Sequence, residues 1–256
     1  MTPKDGCVWI TGASSGIGRE VAGQMCKAGW TVCATARRGE ELESLANELS
    51  GTLGALRAYP ADISDHTDVE ETVRRILAEV GPIAIGILNA GVYLPVKTTE
   101  LANELTAFQR SVDVNLMGTV HCIAPLIAHM TTTGHGQIAL VSSVTGYGGL
   151  PTCAAYGATK AALINLAECM SIELLPKGIQ TTLINPGFVD TPAQDDLGFP
   201  KPFMISSPEA ATRIRRGLQS GKFEVTFPRR FTWPLKALSC LIPKALYLWL
   251  VRRQTL

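Results

Sequence analysis

No C-x-x-C pair occurs in this 256-residue chain. Its seven cysteines (Cys7, Cys26, Cys33, Cys122, Cys153, Cys169 and Cys240) are odd in number and scattered, mostly through apolar segments. Zinc ligation and a disulfide framework both need close, repeated spacing, so neither is expected. Small buried hydrophobes in a reducing compartment are. The four histidines, His66, His121, His129 and His135, are equally dispersed; each suits a helix surface or a core, and no metal site is expected. A dominant charge is missing too. Lys and Arg total 23 against 22 Asp and Glu, a net of +1, which removes the electrostatic case for nucleic-acid binding. No stretch of about 20 residues is cleanly apolar, so no ordinary spanning helix is expected. The first 30 residues lack the basic-then-apolar start of a signal peptide. A cytoplasmic location follows as the expectation.

What is present is core material. Apolar residues make up 46 % and charged residues 18 % of the chain, which excludes disorder as the main state. The 24 glycines follow no collagen period and suit a fold with many tight turns. Short apolar runs read as strands at Cys7–Thr11, Thr31–Thr35, Leu53–Tyr59, Ile85–Leu88, Gln137–Ser142, Ile179–Ile184 and Lys222–Phe227. Helical spacing falls between them at Ile17–Ala28, Glu40–Leu49, from Ser64 or Asp65 to Val80, Glu100–Val112, Asp113–Met130, Cys153–Leu175 and Pro208–Gln219. Strands alternating with helices predict an α/β fold: one doubly wound domain, a parallel sheet with helices on both faces.

The first strand runs into Thr11-Gly12-Ala13-Ser14-Ser15-Gly16-Ile17-Gly18, a G-x-x-x-G-x-G turn that opens the first helix. Glycine lets backbone approach a ligand closely, and a helix N-terminus offers free N–H groups to a pyrophosphate. The second strand ends at Thr35-Ala36-Arg37-Arg38, with no acid until Glu40. An acid there would accept from a ribose 2′-OH, whereas arginine pairs a 2′-phosphate, so Arg37 and Arg38 favour NADP(H), with NAD(H) still possible. Asp62, after the third strand, is placed to accept from an adenine amino group or to cap a helix.

Ser143 ends the fifth strand, Tyr156 follows 13 residues later, and Lys160 stands one helical turn beyond on the same face. A phenol with a pKa near about 10 is a poor acid–base group at neutral pH. A neighbouring ammonium lowers that pKa, and a serine hydroxyl can hold the oxygen that exchanges the proton.

With these residues in order, the chain resembles the short-chain dehydrogenase/reductase family over about residues 5–227. The resemblance rests on TGASSGIG at 11–18, Asp62, Asn89-Ala90-Gly91, Asn115, Ser143, Tyr156-Gly157-Ala158-Thr159-Lys160, and Pro186-Gly187 with Thr191. It implies a seven-stranded Rossmann sheet with cofactor and substrate in one cleft. It assigns catalysis to Asn115, Ser143, Tyr156 and Lys160. Cofactor contacts fall to Gly12, Ser14, Ser15, Gly16, Ile17, Gly18, Arg37, Arg38, Asp62, Asn89, Gly91, Tyr156, Lys160, Pro186, Gly187, Val189 and Thr191. Leu88 stands where the family usually has a second asparagine. Three residues separate Tyr156 from Lys160, not the six of the enoyl-reducing relatives.

By the same resemblance Tyr93, Leu94, Tyr147, Leu150, Phe188, Phe199, Phe203 and Met204 line the substrate side, among the charges Lys97, Asp190, Asp195, Asp196 and Lys201. No arginine cluster is present there to pair a phosphate or carboxylate, so the expected substrate is a hydrophobic ketone, aldehyde or alcohol.

Residues 228–256 hold six of the basic residues and no acid, leaving a net −5 elsewhere. Trp233–Val251 has 14 apolar residues in 19, broken by Pro234 and Pro243, which predicts two short helices. Such a pair can cap the cleft, form a subunit contact in a dimer or tetramer, or lie on a membrane surface. The sequence therefore points to an NADP(H)-dependent oxidoreductase. The alternatives are a non-catalytic NADP(H)-binding regulator or a membrane-peripheral interaction protein.

Overall fold

The computed structural model describes residues 1–192 and 201–255, so Asp195, Asp196 and Phe199 lie outside the described residues. In chain order the elements are β1 (Cys7–Thr11), α1 (Gly16–Lys27), β2 (Thr31–Thr35), α2 (Gly39–Glu48), β3 (Ala55–Ala58), α3 (His66–Glu79), β4 (Ile83–Leu88), α4 (Leu105–Val112), α5 (Gly118–Thr133), β5 (Gly136–Val141), α6 (Ala154–Leu174), β6 (Ile179–Pro186), β7 (Val189–Asp190), β8 (Ile205–Ser206), α7 (Ser207–Gln219), β9 (Glu224–Phe227), α8 (Arg229–Leu241) and α9 (Lys244–Thr255). Seven strands form one parallel sheet in the order β3-β2-β1-β4-β5-β6-β9; β7 and β8 pair apart from it. The order reverses between β1 and β4, and that crevice is where doubly wound sheets place their ligands.

Strand alternation decides which residues enter which layer. Val8 and Ile10 of β1 face a core shared with Val21, Ala22 and Met25 of α1, Leu42 of α2 and Ile214 of α7. Cys7 and Trp9 face the opposite core, with Val73 of α3, Leu126 of α5 and Leu163 of α6. Covering both faces buries every residue of β1. Trp9 can be fully buried because its indole N–H donates to Thr35 Oγ1 at 2.9 Å. All seven cysteines are free, and five are buried.

Several boundaries differ from expectation. The third strand starts at Ala55: Leu53 is 87 % exposed, and Gly54 sits in a turn where its N–H donates to Cys26 O. The fourth starts two residues early, at Ile83, whose N–H donates to His129 Nε2 at 3.1 Å. Asp65, not Ser64, caps α3, accepting from the Thr67 and Asp68 N–H groups.

Helices α4 and α5 join through a wide π turn at Asp113–Met117, giving one continuous helix over Leu105–Thr133. By length and composition it could cross a membrane, but Val114, Cys122, Ile123, Leu126 and Met130 pack it into the core. In the tail only Pro243 separates two helices. Pro234 lies inside α8, six residues in, and does not end it.

Candidate active site

A cleft of about 1220 Å³ opens at the carboxyl ends of the strands. One wall is the glycine turn. Gly12 and Gly16 have φ of +68° and +55°, which a side chain would strain. The cleft is lined by Gly12, Ser14, Ser15, Gly16 and Ile17, so the start of α1 opens into it. Gly18 does not reach the cleft surface. It supports the turn from behind, where a Cβ would stand 2.2 Å from Gly12 O and 2.5 Å from Asn89 Nδ2. Asn89 ties the same turn down, donating from Nδ2 to the Thr11 and Gly12 carbonyls. Gly18→Ala is therefore expected to force backbone apart. It should lower thermal stability by about 1–3 kcal/mol and weaken dinucleotide binding, read by thermal denaturation and cofactor titration.

At the end of β2, Arg38 donates from Nη2 to Ser14 Oγ at 3.0 Å and Ser15 Oγ at 3.1 Å. Two hydroxyls and a guanidinium thus converge at the rim, with exposed Arg37 beside them. Asp62 also lines the cleft, but it caps no helix; its Oδ1 accepts from the Ser64 N–H and hydroxyl. Burial works to raise its pKa, and those bonds with the nearby Arg110 and Arg37 charges hold it below the ordinary carboxylate range. Arg110 of α4 stands 3.7 Å from Asp62 and lines the cleft. Its 48-residue separation from Asp62 hides that contact from sequence reading.

On the other wall Ser143, Tyr156 and Lys160 come together. Ser143 caps the turn after β5 by accepting from Thr145 N–H at 3.2 Å. Helix α6 carries Tyr156 and Lys160 one turn apart, with Lys160 Nζ 5.5 Å from the phenol ring centroid. Burial pushes the Tyr156 phenol up to about 12, against the lowering effect of a hydrogen bond from Ser143. Lys160 is 3 % exposed and donates to Val141 O at 2.8 Å; burial pushes its ammonium down to about 8.

Asn115 lies behind the wall, fully buried in the π turn. Its amide accepts from Val92 N–H at 2.7 Å and donates to Val92 O at 2.9 Å. Asn115 Oδ1 and Lys160 Nζ would stand 3.2 and 3.6 Å from a Cβ on Gly91. Glycine there keeps the three groups in one corner.

Gly91, Pro186, Gly187, Val189 and Thr191 line the cleft as expected, as do Tyr93, Leu150 and Phe188. Tyr147 does not. Its hydroxyl turns to Glu224 Oε1 at 2.5 Å, and Glu224 also takes hydrogen bonds from Asn185 and Lys236. Burial works to raise the Glu224 carboxyl, and these donors hold it below its usual range. Leu94, Lys97, Asp190, Lys201, Phe203 and Met204 also fall outside the lining; Lys97 pairs with Glu100, and Phe203 is 52 % exposed.

Thr145 and Phe231 are among the lining residues that the sequence did not single out. Thr145 has a buried hydroxyl with no hydrogen-bond partner among the described residues. Phe231, from the tail, packs on Phe188 with ring centroids 5.5 Å apart. None of the four histidines lines the cleft.

The glycine turn, the free helix start, and the arginine with two serines at the rim fit a dinucleotide cofactor. Comparison with known proteins agrees. A family model described as short chain dehydrogenase matches residues 6–199. An uncharacterized oxidoreductase of Myxococcus xanthus is 30 % identical over 93 % of both chains. A 2-dehydro-3-deoxy-L-rhamnonate dehydrogenase (NAD(+)) of a Sphingomonas species is also 30 % identical, over 75 % of both chains. Among solved structures, a short-chain dehydrogenase of Sphingobium yanoikuyae in complex with NADPH superposes with a TM-score of 0.81 at 27 % identity. That match covers 91 % of this chain and 92 % of that one.

Proposed function

The chain belongs to the short-chain dehydrogenase/reductase family, oxidoreductases that act on CH–OH groups with NAD(P), and on that premise we propose that it is an NADP(H)-dependent enzyme interconverting a hydrophobic ketone or aldehyde and its alcohol. The observation that carries the reading is a half-buried phenol, set beside Ser143 and backed by Lys160, in a cleft walled by Tyr93, Leu150, Phe188 and Phe231. When bound, the nicotinamide supplies or takes up the hydride.

In reduction Tyr156 gives its proton to the carbonyl oxygen, and Ser143 holds that oxygen in place by a hydrogen bond. A phenol raised to about 12 stays protonated across the physiological range, ready to act as the acid. In oxidation the phenolate form is needed, and the Lys160 ammonium is the charge that favours it. Asn115, fixed on both sides by Val92, holds the corner in which Lys160 sits. The apolar walls favour substrates that lose little on leaving water. A screen of NADPH consumption over ketones and aldehydes of graded size and polarity tests the reading. Turnover that rises with apolar bulk is expected; a preference for small charged acids would overturn it.

Arg38, Ser14 and Ser15 would hold the 2′-phosphate, and Pro186, Val189 and Thr191 would flank the nicotinamide. Arg38→Asp replaces a charge-assisted donor with a repelling carboxylate. NADPH affinity should fall by about 10–100-fold, the equivalent of one lost charged hydrogen bond, while NADH affinity changes far less. Titration of both cofactors against both proteins measures this, and an equal loss for NADH would remove the assignment.

A further inference from the structure

We propose that the outer face of α8 and α9 seats the protein on an anionic lipid surface. The inner face of the pair is already occupied. Thr232, Ser239 and Tyr247 are buried, the Tyr247 hydroxyl donates to Gly149 O at 3.0 Å, and Lys236 reaches Glu224. The two helices are thus fixed on the core and cannot turn their outer residues inward.

That outer face is apolar. Trp233 is 59 % exposed, Leu241 81 %, Leu248 42 % and Trp249 52 %. Arg229 and Arg230 flank it at the start of α8, and Arg252 and Arg253 at the end of α9, all four exposed. Each exposed indole carries a guanidinium on its ring. Arg229 lies 5.5 Å from the Trp233 ring centroid, and Arg253 lies 5.5 Å from that of Trp249. Indoles settle at headgroup depth, and arginines beside them pair with lipid phosphates. Helices of 13 and 12 residues reach only about 18–20 Å, short of the roughly 30 Å hydrocarbon core. They lie on a bilayer and do not span it.

Charge decides between lipid and a second copy of the chain. Residues 228–256 carry six basic side chains and no acid. Two copies meeting by this face would set cations against cations, with no acid from this segment between them. An anionic surface complements both the charge and the apolar area. Phe231, two residues from Trp233 and about 200° away around the helix, lines the cleft. One helix therefore separates the docked face from the reaction site.

The full chain should sediment with vesicles of phosphatidylcholine containing phosphatidylglycerol, and at least tenfold less with phosphatidylcholine alone. High salt should release it. At about fivefold in partitioning per basic residue, the double variant Arg252→Glu/Arg253→Glu should bind the anionic vesicles at least tenfold less. The double variant Trp233→Ser/Trp249→Ser should lose binding as well. NADPH binding reports that each variant is folded, since none of these residues lines the cleft. Failure of the full chain to sediment with either vesicle would overturn the proposal. So would vesicle binding that both variants retain, or a self-associated species in sedimentation velocity that the tryptophan variant dissolves.

Discussion

Tyr156→Phe is expected to cut turnover by about 10²–10⁴-fold, the usual contribution of a positioned general acid, with NADPH affinity unchanged. The substitution removes one oxygen and keeps the ring, so the edge-on packing against Tyr93, at 5.1 Å between ring centroids, survives. Among the described cleft-lining hydroxyls, that of Tyr156 has a serine beside it and an ammonium behind its ring. Among the described residues no histidine or carboxylate lines the same wall to replace it. The measurement is single-turnover and steady-state reduction with the best substrate from the screen. Turnover near wild type would show that the acid lies elsewhere.

Lys160→Met is expected to divide activity from stability. Activity should fall at least about a hundredfold, since the charge that favours phenolate is lost. The fold should gain. Burial holds the Lys160 ammonium at about 8 against an ordinary 10.5. Between those values the unfolded chain binds a proton that the folded chain has shed, so this group makes stability rise with pH there. Below pH 8 the cost of a buried charge is fully present, about 3 kcal/mol for that difference. Methionine removes it and leaves the Val141 carbonyl without its donor, a loss of roughly 1 kcal/mol. The net expectation at pH 7 is about 2 kcal/mol of added stability, shrinking as the pH approaches 10.5. Denaturant unfolding of both proteins at pH 7 and pH 10 measures the difference. A variant less stable at pH 7 would show that the ammonium is compensated in place.

Much of this was legible because it is local. The short apolar run Cys7–Thr11 reads as a strand, and every residue of β1 is buried. Spacing of one helical turn put Tyr156 and Lys160 together. What was not legible came from long-range capture. An aromatic residue in the loop after a strand reads as cleft lining, yet Glu224, 77 residues on, takes the Tyr147 hydroxyl and turns the ring away. Arg110 stands on an ordinary amphipathic turn and meets Asp62 only once α4 packs. Gly18 reads as a phosphate contact because it shares a motif with Gly12 and Gly16, but its space is set by the Gly12 carbonyl and Asn89. Pro234 reads as a helix break, yet α8 runs through it.

The hold of Lys236 and Phe231 on the core bears on how such a protein diverges. Among the described residues the dinucleotide wall is drawn from positions up to Thr191, whereas the far wall borrows Phe231 from a segment beyond β9, which through Lys236 also reaches the Glu224 that holds Tyr147 out of the cleft. Substitutions in α8 can therefore reshape the space over the substrate while the proton-handling residues and the phosphate cradle stay untouched. Selection on that helix is then double, for the shape of a cavity on one side and for whatever its outer face meets on the other. Drift in one trait drags on the other, because Phe231 and Trp233 sit on the same turns and cannot be repositioned independently.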